Sequence, residues 1–247
     1  MPYFDAHLVA PQQPAPTLPP GLAGAVLYGL GAAAQQRACS TLQAQGPWLR
    51  AAPLNCLAGP ADGRFPSDAP EVIDLQLPDE NSLLSRLKGP APDWWPLATG
   101  VQANGQFLRL NLPPGASTAA CVRKLAQRFP RTRFLLDPFR HGPVPGWQAQ
   151  VRLAECSNVW LTALGLLPGA ACRWEQSGGV EEAFYFTAGE VGAGRLLLAT
   201  GGRWEDLLSA SFATEWLAGI RCLDKDQRAL ILELNARELF GEGFASA

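Results

Sequence analysis

The stretch Ser117–Asp137, STAACVRKLAQRFPRTRFLLD, has the pattern of a helix followed closely by a buried strand. Its first half places apolar side chains near one helical face, at Cys121, Val122, Leu125 and Phe129. Ser117 is the predicted cap of this helix, and Pro130 follows its end. Phe134–Asp137 is apolar without alternation until its final carboxylate, which is typical of a parallel strand covered on both faces.

The same order of short apolar runs and longer helical patterns extends in both directions. The other predicted strands are Tyr3–His7, Ala25–Tyr28, Trp48–Leu54, Phe107–Leu112, Val159–Ala163 and Arg195–Ala199. The other predicted helices are Ala32–Gln45, Asp79–Lys88, Trp147–Cys156, residues 178–190, Trp204–Ala218 and Asp224–Phe240. Pro90–Pro96 is predicted to be irregular. An eighth strand is assigned either to Val72–Leu77 or to a segment near residues 180–187.

This alternation predicts a parallel sheet with helical crossovers, either closed as a (β/α)8 barrel or open and doubly wound. The length of 247 residues and the absence of a dinucleotide-binding glycine fingerprint both favour the TIM barrel. We therefore predict an α/β chain whose residues 1–247 form a single TIM-barrel domain, with one imperfect or missing strand.

Composition excludes several classes of function. The chain has 20 basic and 22 acidic residues and a formal charge of −2, so its charge does not favour nucleic acid or an anionic membrane as a partner. Six cysteines without a CxxC pair predict reduced thiols. The N-terminal residues do not resemble a signal peptide, and we expect a cytoplasmic protein. His7 and His141 are the only histidines, which excludes a metal site built on three imidazoles.

Several short signatures recur in a characteristic order along the chain. They are Phe4-Asp-Ala-His-Leu-Val9, Gly105-Gln-Phe-Leu-Arg-Leu110, Leu125-Ala-Gln-Arg-Phe-Pro130, Phe134-Leu-Leu-Asp-Pro-Phe-Arg-His-Gly-Pro143, Asn158-Val-Trp-Leu-Thr-Ala-Leu-Gly165, Gly194-Arg-Leu-Leu-Leu-Ala-Thr200 and Leu234-Asn-Ala-Arg-Glu-Leu-Phe240. In this order, from residue 3 to about residue 241, the chain resembles the amidohydrolase-2 family of metal-dependent TIM-barrel hydrolases, which includes decarboxylases and lactonases. The resemblance implies a pocket at the carboxyl ends of the strands and a homodimer.

The departures from that family pattern lie at its metal-binding positions. The family opens with Asp-x-His-x-His, and here Asp5 and His7 match whereas Val9 stands at the second histidine. The family ends its last strand with Ser/Thr-Asp-Trp, whereas here Thr200 is followed by Gly201. A catalytic zinc needs about three protein ligands, and valine and glycine side chains have no donor atom. We expect no cofactor, and a divalent metal such as zinc only if the site has been rebuilt.

The family also reads Leu-Asp-His after strand five. Here Asp137 is followed by Pro138, and His141 lies further along the same loop. Asp137 and His141 are either an acid/base pair or parts of a proline-rich loop with a solvent-exposed histidine. Arg109 is either paired structurally or binds an anionic ligand. Arg203 follows the position of the lost acid, so the pocket is expected to prefer anions.

These considerations define the candidate site and its function. The catalytic candidates are His7, Asp137 and His141, and the ligand-binding candidates are Asp5, Arg109, Thr200 and Arg203. The first hypothesis is a divergent amidohydrolase-like protein that has lost the metal and binds a small ligand without standard turnover. The second is a metal-independent hydrolase of a lactone or ester, in which arginines stabilise the oxyanion. The third is a non-catalytic partner subunit of an active paralogue.

Overall fold

The computed structural model describes residues 3–9, 22–28, 49–51, 72–76, 94–103, 105, 107–112, 115–167, 174, 178–201 and 212–240. Within these ranges, side chains are described from Thr99 onward, apart from those of residues 116, 212 and 213. The predicted helices Ala32–Gln45 and Asp79–Lys88 lie outside the described residues, as does Arg203.

Parallel strands form the inner layer of the described chain. They are β1 (Tyr3–Val9), β2 (Leu22–Tyr28), β3 (Leu49–Ala51), β4 (Val72–Gln76), β5 (Phe107–Asn111), β6 (Arg133–Leu136), β7 (Val159–Thr162) and β8 (Leu196–Leu197). Strands β1, β2 and β3 are hydrogen-bonded in that order, and so are strands β4, β5, β6, β7 and β8. Every described pair is parallel, as the helical crossovers require.

Strand β4 resolves the question of the eighth strand. It pairs with β5 from Val72 opposite Phe107 onward, which confirms the first of the two sequence assignments. The alternative near residues 180–187 is wrong, because Val180–Glu190 is a helix whose first turn carries two acids that favour a helix N-terminus. The strand before Asp137 is consequently the sixth in chain order, whereas the count without β4 made it the fifth.

Helices follow the strands along the described chain. They are α1 (Trp94–Ala103), α2 (Ala116–Arg128), α3 (Trp147–Val151), α4 (Val180–Glu190), α5 (Phe212–Gly219), α6 (Lys225–Ala229) and α7 (Asn235–Phe240). A 3-10 turn at Arg152–Glu155 extends α3, and a π-helical segment at Leu230–Leu234 joins α6 to α7. The predicted helices from Ser117, Trp147 and residue 178 are confirmed.

Two local predictions are wrong, each for a reason of helix-end chemistry. Helix α2 begins at Ala116 with Gly115 as its N-cap, so Ser117 lies within the first turn and does not cap it. The tryptophan pair predicted to be irregular begins α1 instead. Pro96 is the third residue of that helix, where its missing N–H interrupts no helical hydrogen bond.

The first strand lies next to the last, and a helical segment packs against both. Strand β1 lies beside β8, and the π-helical segment contacts both. The Leu198 N–H donates to the Ile231 carbonyl over 3.1 Å. Strand pairing of β8 is therefore limited to Leu196–Leu197, shorter than the predicted Arg195–Ala199. Asn235 is structural, because its Nδ2 donates to the carbonyls of Ala193 and Leu196, each over 2.7 Å.

The strands separate two apolar layers. The outer layer packs the sheet against the helices and includes Leu108, Phe134 and Leu161. The inner layer takes the alternate strand positions together with residues of α7, and its members are Phe107, Leu135, Trp160, Leu164, Leu197, Ala199, Ala236, Leu239 and Phe240. The Phe107 and Phe240 rings lie 4.8 Å apart, and Arg133 Nη1 donates to the Leu239 carbonyl over 2.7 Å. Helix α7 therefore covers the amino ends of β5 and β6.

None of the described helices combines the length and the apolar character that crossing a membrane requires. The described cysteines Cys121, Cys156 and Cys222 are free and half-buried. Burial raises the pKa of the Cys222 thiol, so its protonated form is favoured at neutral pH.

Candidate functional site

Three neighbouring strands each present one polar group on the inner face of the sheet. Arg109 lies in β5 between two residues of the outer layer, so its side chain points inward with Phe107. Asp137 directly follows β6, and Thr162 is the last residue of β7; by the same alternation both face inward. All three are buried. Carboxyl ends of parallel strands in such a fold are the positions where sites form.

The three side chains form one hydrogen-bonded cluster, called here the Arg109–Asp137–Thr162 cluster. Arg109 Nε donates to Asp137 Oδ2 over 2.9 Å, and Arg109 Nη2 forms an ion pair with the same oxygen. Thr162 Oγ1 donates to Asp137 Oδ1. Both oxygens of the carboxylate therefore have donors, and the guanidinium supplies an opposite charge. An unpaired carboxylate would be costly at this depth, whereas this arrangement satisfies it.

The loop from Asp137 to Gly146 leaves this cluster as a series of hydrogen-bonded turns. The Arg140 N–H donates to the Asp137 carbonyl over 3.3 Å, and the Gly142 N–H donates to the Phe139 carbonyl over 3.1 Å. His141 is half-buried on this loop, and Arg140 is exposed. His141 thus lies between the fully exposed and fully buried cases, and its role stays a prediction.

An aromatic cluster fixes that loop from its outer side. The Phe139 ring lies 5.9 Å from the rings of both Trp147 and Trp174. Trp174 Nε1 also donates to the Phe139 carbonyl over 2.8 Å. Gly165 has a φ of +97°, and a Cβ at this position would lie 2.6 Å from the Phe139 oxygen. The glycine thus permits the loop after β7 to touch the loop after β6.

Three other predicted residues lie in or after the first and last strands. Asp5 and His7 lie in β1, which continues to Val9, so His7 does not end the strand as predicted. The pairing of β1 with β2 shifts register between Asp5 and Leu8, an irregularity that often occurs near sites. The side chains of Asp5 and His7 lie outside the described part of the structure. Thr200 is half-buried beyond β8.

Sequence reasoning missed Thr162. Its signal was a single hydroxyl at the end of an otherwise apolar strand, Val159-Trp-Leu-Thr162, at the end where sites form. Arg109 and Asp137 were predicted, but as a ligand-binding residue and a catalytic residue. The structure brings them together and supports the paired alternative for Arg109.

Several solved structures are similar to this chain in fold. The chain is similar to a putative 2-pyrone-4,6-dicarboxylic acid hydrolase from Pseudomonas putida, with 17% identity, a TM-score of 0.65 and coverage of 100% of this chain and 99% of that one. It is also similar to an amidohydrolase 2 from Bifidobacterium longum subsp. infantis, with 15% identity, a TM-score of 0.61 and coverage of 97% and 98%. The fold is that of the amidohydrolases.

A zinc-bound amidohydrolase from Burkholderia multivorans has the same barrel, with 14% identity, a TM-score of 0.64 and coverage of 97% of this chain and 99% of that one. No protein-family model matches the chain, and no curated protein matches it. The likeness therefore establishes the TIM-barrel fold that this chain shares with these amidohydrolases, at identities of 14–17%.

The described residues do not supply the donor set that a metal centre at these strand ends would need. Val9 ends β1 and Gly201 follows the last strand, and neither side chain has a donor atom. Both oxygens of Asp137 are occupied by Arg109 and Thr162. Among the described residues, no three acidic, histidine or cysteine side chains group closely enough to hold a metal ion.

Proposed function

We propose that this amidohydrolase-like barrel binds a small anionic ligand at the carboxyl ends of its strands without standard metal-dependent hydrolysis. The observation that carries this proposal is the Arg109–Asp137–Thr162 cluster. Its carboxylate is paired with a guanidinium inside the protein, so recruiting Asp137 to a metal ion or to proton transfer would require breaking a buried ion pair. The cluster is then a buried structural support, called here the floor, beneath the proposed ligand.

The ligand contacts are assigned to groups above that floor. His141 and Thr200 are half-buried on the segments that follow β6 and β8, where they can meet both protein and ligand. Arg203 stands two residues after Gly201, close to the position where the resembling family has an acid. A guanidinium there would attract a carboxylate and repel a divalent cation. Asp5 and His7 complete the proposed set from β1.

Removal of metal is expected to leave this protein unchanged. Protein grown with zinc, manganese and cobalt and then dialysed should retain well under one ion per chain by elemental analysis. Treatment with a chelator should not shift its melting temperature, because no bound metal contributes to the folded state. About one tightly held ion per chain would contradict the proposal and indicate a site rebuilt from other side chains.

The ligand is tested with 2-pyrone-4,6-dicarboxylate, the compound that names the hydrolase from Pseudomonas putida. Titration calorimetry should detect binding to the wild-type chain. Arg203→Gln should weaken it about tenfold or more, since a charge-assisted hydrogen bond contributes about 1.5–3 kcal/mol. Arg131→Gln is the matched control, because Arg131 is exposed in the turn before β6, at the amino ends of the strands. Equal affinity for all three proteins would contradict the role of Arg203.

A metal-independent lactonase is the second candidate, favoured by similarity to that hydrolase over the whole chain. In this reaction, water bonds to the lactone carbonyl carbon while His141 takes its proton. The ring C–O bond then breaks, and the proton returns to the released ring oxygen. The same compound distinguishes the candidates, because ring opening removes its pyrone absorbance. Turnover that His141→Gln abolishes would support the lactonase, and stable binding without turnover would support the ligand-binding protein.

A further inference from the structure

We propose that Thr162 is a positioning residue of this site, acting through Asp137 on the loop that carries His141. The inference rests on the proposed function, since it assigns a role in binding at the same strand ends. Thr162 itself is buried and is not placed against the ligand.

The hydroxyl of Thr162 connects the loop after β7 to the carboxylate after β6. A threonine hydroxyl has one hydrogen to donate and lone pairs with which to accept. Here the hydrogen goes to Asp137 Oδ1, and the oxygen accepts from the Leu164 N–H over 3.4 Å. The hydroxyl therefore sits between the backbone of one loop and the side chain at the start of the next.

The two donors to Asp137 approach different oxygens. Arg109 binds Oδ2 and Thr162 binds Oδ1, so together they fix the plane of the carboxylate. Without Thr162, Oδ1 would be a buried acceptor with one donor fewer, and the carboxylate could turn about its Cβ–Cγ bond. Arg109 alone would then determine its orientation.

Asp137 transmits this restraint because it begins the loop. Its carbonyl accepts a hydrogen bond from the N–H of Arg140, which is the residue next to His141. The aromatic contacts and Gly165 hold the loop at Phe139, so they are separate from the hydroxyl. Thr162→Val removes one hydroxyl, keeps the side-chain volume close to constant and leaves those outer contacts in place.

The experiment compares Thr162→Val, Thr162→Ser and Thr187→Val with the wild-type chain. Thr187 is the matched control, because it is equally buried and its hydroxyl donates to the Ala183 carbonyl within helix α4 over 2.7 Å. The affinity for 2-pyrone-4,6-dicarboxylate is measured by calorimetry. The imidazole signals are followed by NMR, where the chain has only His7 and His141 and His141→Gln assigns them.

We expect Thr162→Val to bind about tenfold more weakly, as loss of a hydrogen bond to a charged group allows, and to shift the His141 signal. Thr162→Ser keeps the hydroxyl and should stay within about twofold of the wild type. Thr187→Val should lose stability but keep both affinity and the His141 signal. If the valine variant does not fold, Thr162→Cys replaces it, since its thiol is only a weak donor.

Each outcome has a separate meaning. Wild-type affinity in a folded Thr162→Val or Thr162→Cys chain overturns the positioning role and leaves the proposed function intact. Equal losses in the Thr162 and Thr187 variants also overturn it, because they reflect general destabilisation. Absence of binding by the wild-type chain overturns the proposed function, and the inference with it.

Discussion

Asp137→Ala is expected to lower the free energy of unfolding by about 3–5 kcal/mol, the usual cost of removing one partner from a buried ion pair. The variant leaves the Arg109 guanidinium, whose side chain is 1% exposed, without its carboxylate. It also removes the acceptor of the Thr162 hydroxyl. Urea denaturation followed by circular dichroism measures the change as a lower transition midpoint.

The double variant Arg109→Met with Asp137→Leu separates the buried charge from the volume of the two side chains. Replacing both partners with apolar residues of similar size is often neutral or stabilising, so it should recover most of the loss. Glu190→Gln is a control for an exposed pair, because Arg152 Nε contacts Glu190 Oε2 over 2.7 Å with both side chains partly open to solvent. That control should match the wild type within error. A loss as large in the double variant as in Asp137→Ala would show that the ion pair itself supplies net stability.

Gly165→Ala is expected to destabilise the protein by about 3 kcal/mol or more, because left-handed strain and overpacking each cost about 1–3 kcal/mol. Gly165 has a φ of +97°, and its added Cβ would meet the Phe139 oxygen at 2.6 Å and the Arg140 Cα at 2.9 Å. These are backbone atoms, so no side-chain rotation relieves the contact. The loops after β6 and β7 must move apart, and the midpoint of thermal unfolding should fall accordingly.

Gly178→Ala is the matched control for that variant. Gly178 has a φ of +65°, but an added Cβ there meets nothing within 4 Å. Its cost should be the conformational strain alone, about 1–2 kcal/mol. Similar losses in the two glycine variants would mean that the contact with Phe139 relaxes without penalty, and that the loop after β6 is not held at this point.

Sequence reasoning succeeded where the signal was local. The helix at Ala116–Arg128 and the strand at Arg133–Leu136 follow from periodicity and from a proline between them, all within one short stretch. It failed where the end of a strand depends on residues that are far away in the sequence. The length of β8 could not be predicted, because the N–H that would extend it bonds to Ile231 of a later helix.

The candidate site shows the same division. Asp137 and His141 were found from the family pattern and Arg109 as a charge in an apolar strand, but the pairing of Arg109 and Thr162 with Asp137 was not predicted. Arg109 and Asp137 are 28 residues apart, and Asp137 and Thr162 are 25 apart. Their meeting depends on strand order and on register to within one residue, since a shift of one would turn each side chain to the opposite face. A single sequence carries no direct signal of that register.

Helix α7 has a consequence for how the chain acquires this fold during synthesis. Its residues cover the amino ends of β5 and β6, and Asn235 holds the segment that leads into β8. The bond from Arg133 to Leu239 spans 106 residues. A ribosome must therefore release the chain through Phe240 before the barrel can close at its base, so completion of the fold is a late, non-local step. Until then, β5 and β6 present the apolar inner residues Phe107 and Leu135 without this cover, and transiently exposed apolar surface favours aggregation of the nascent chain.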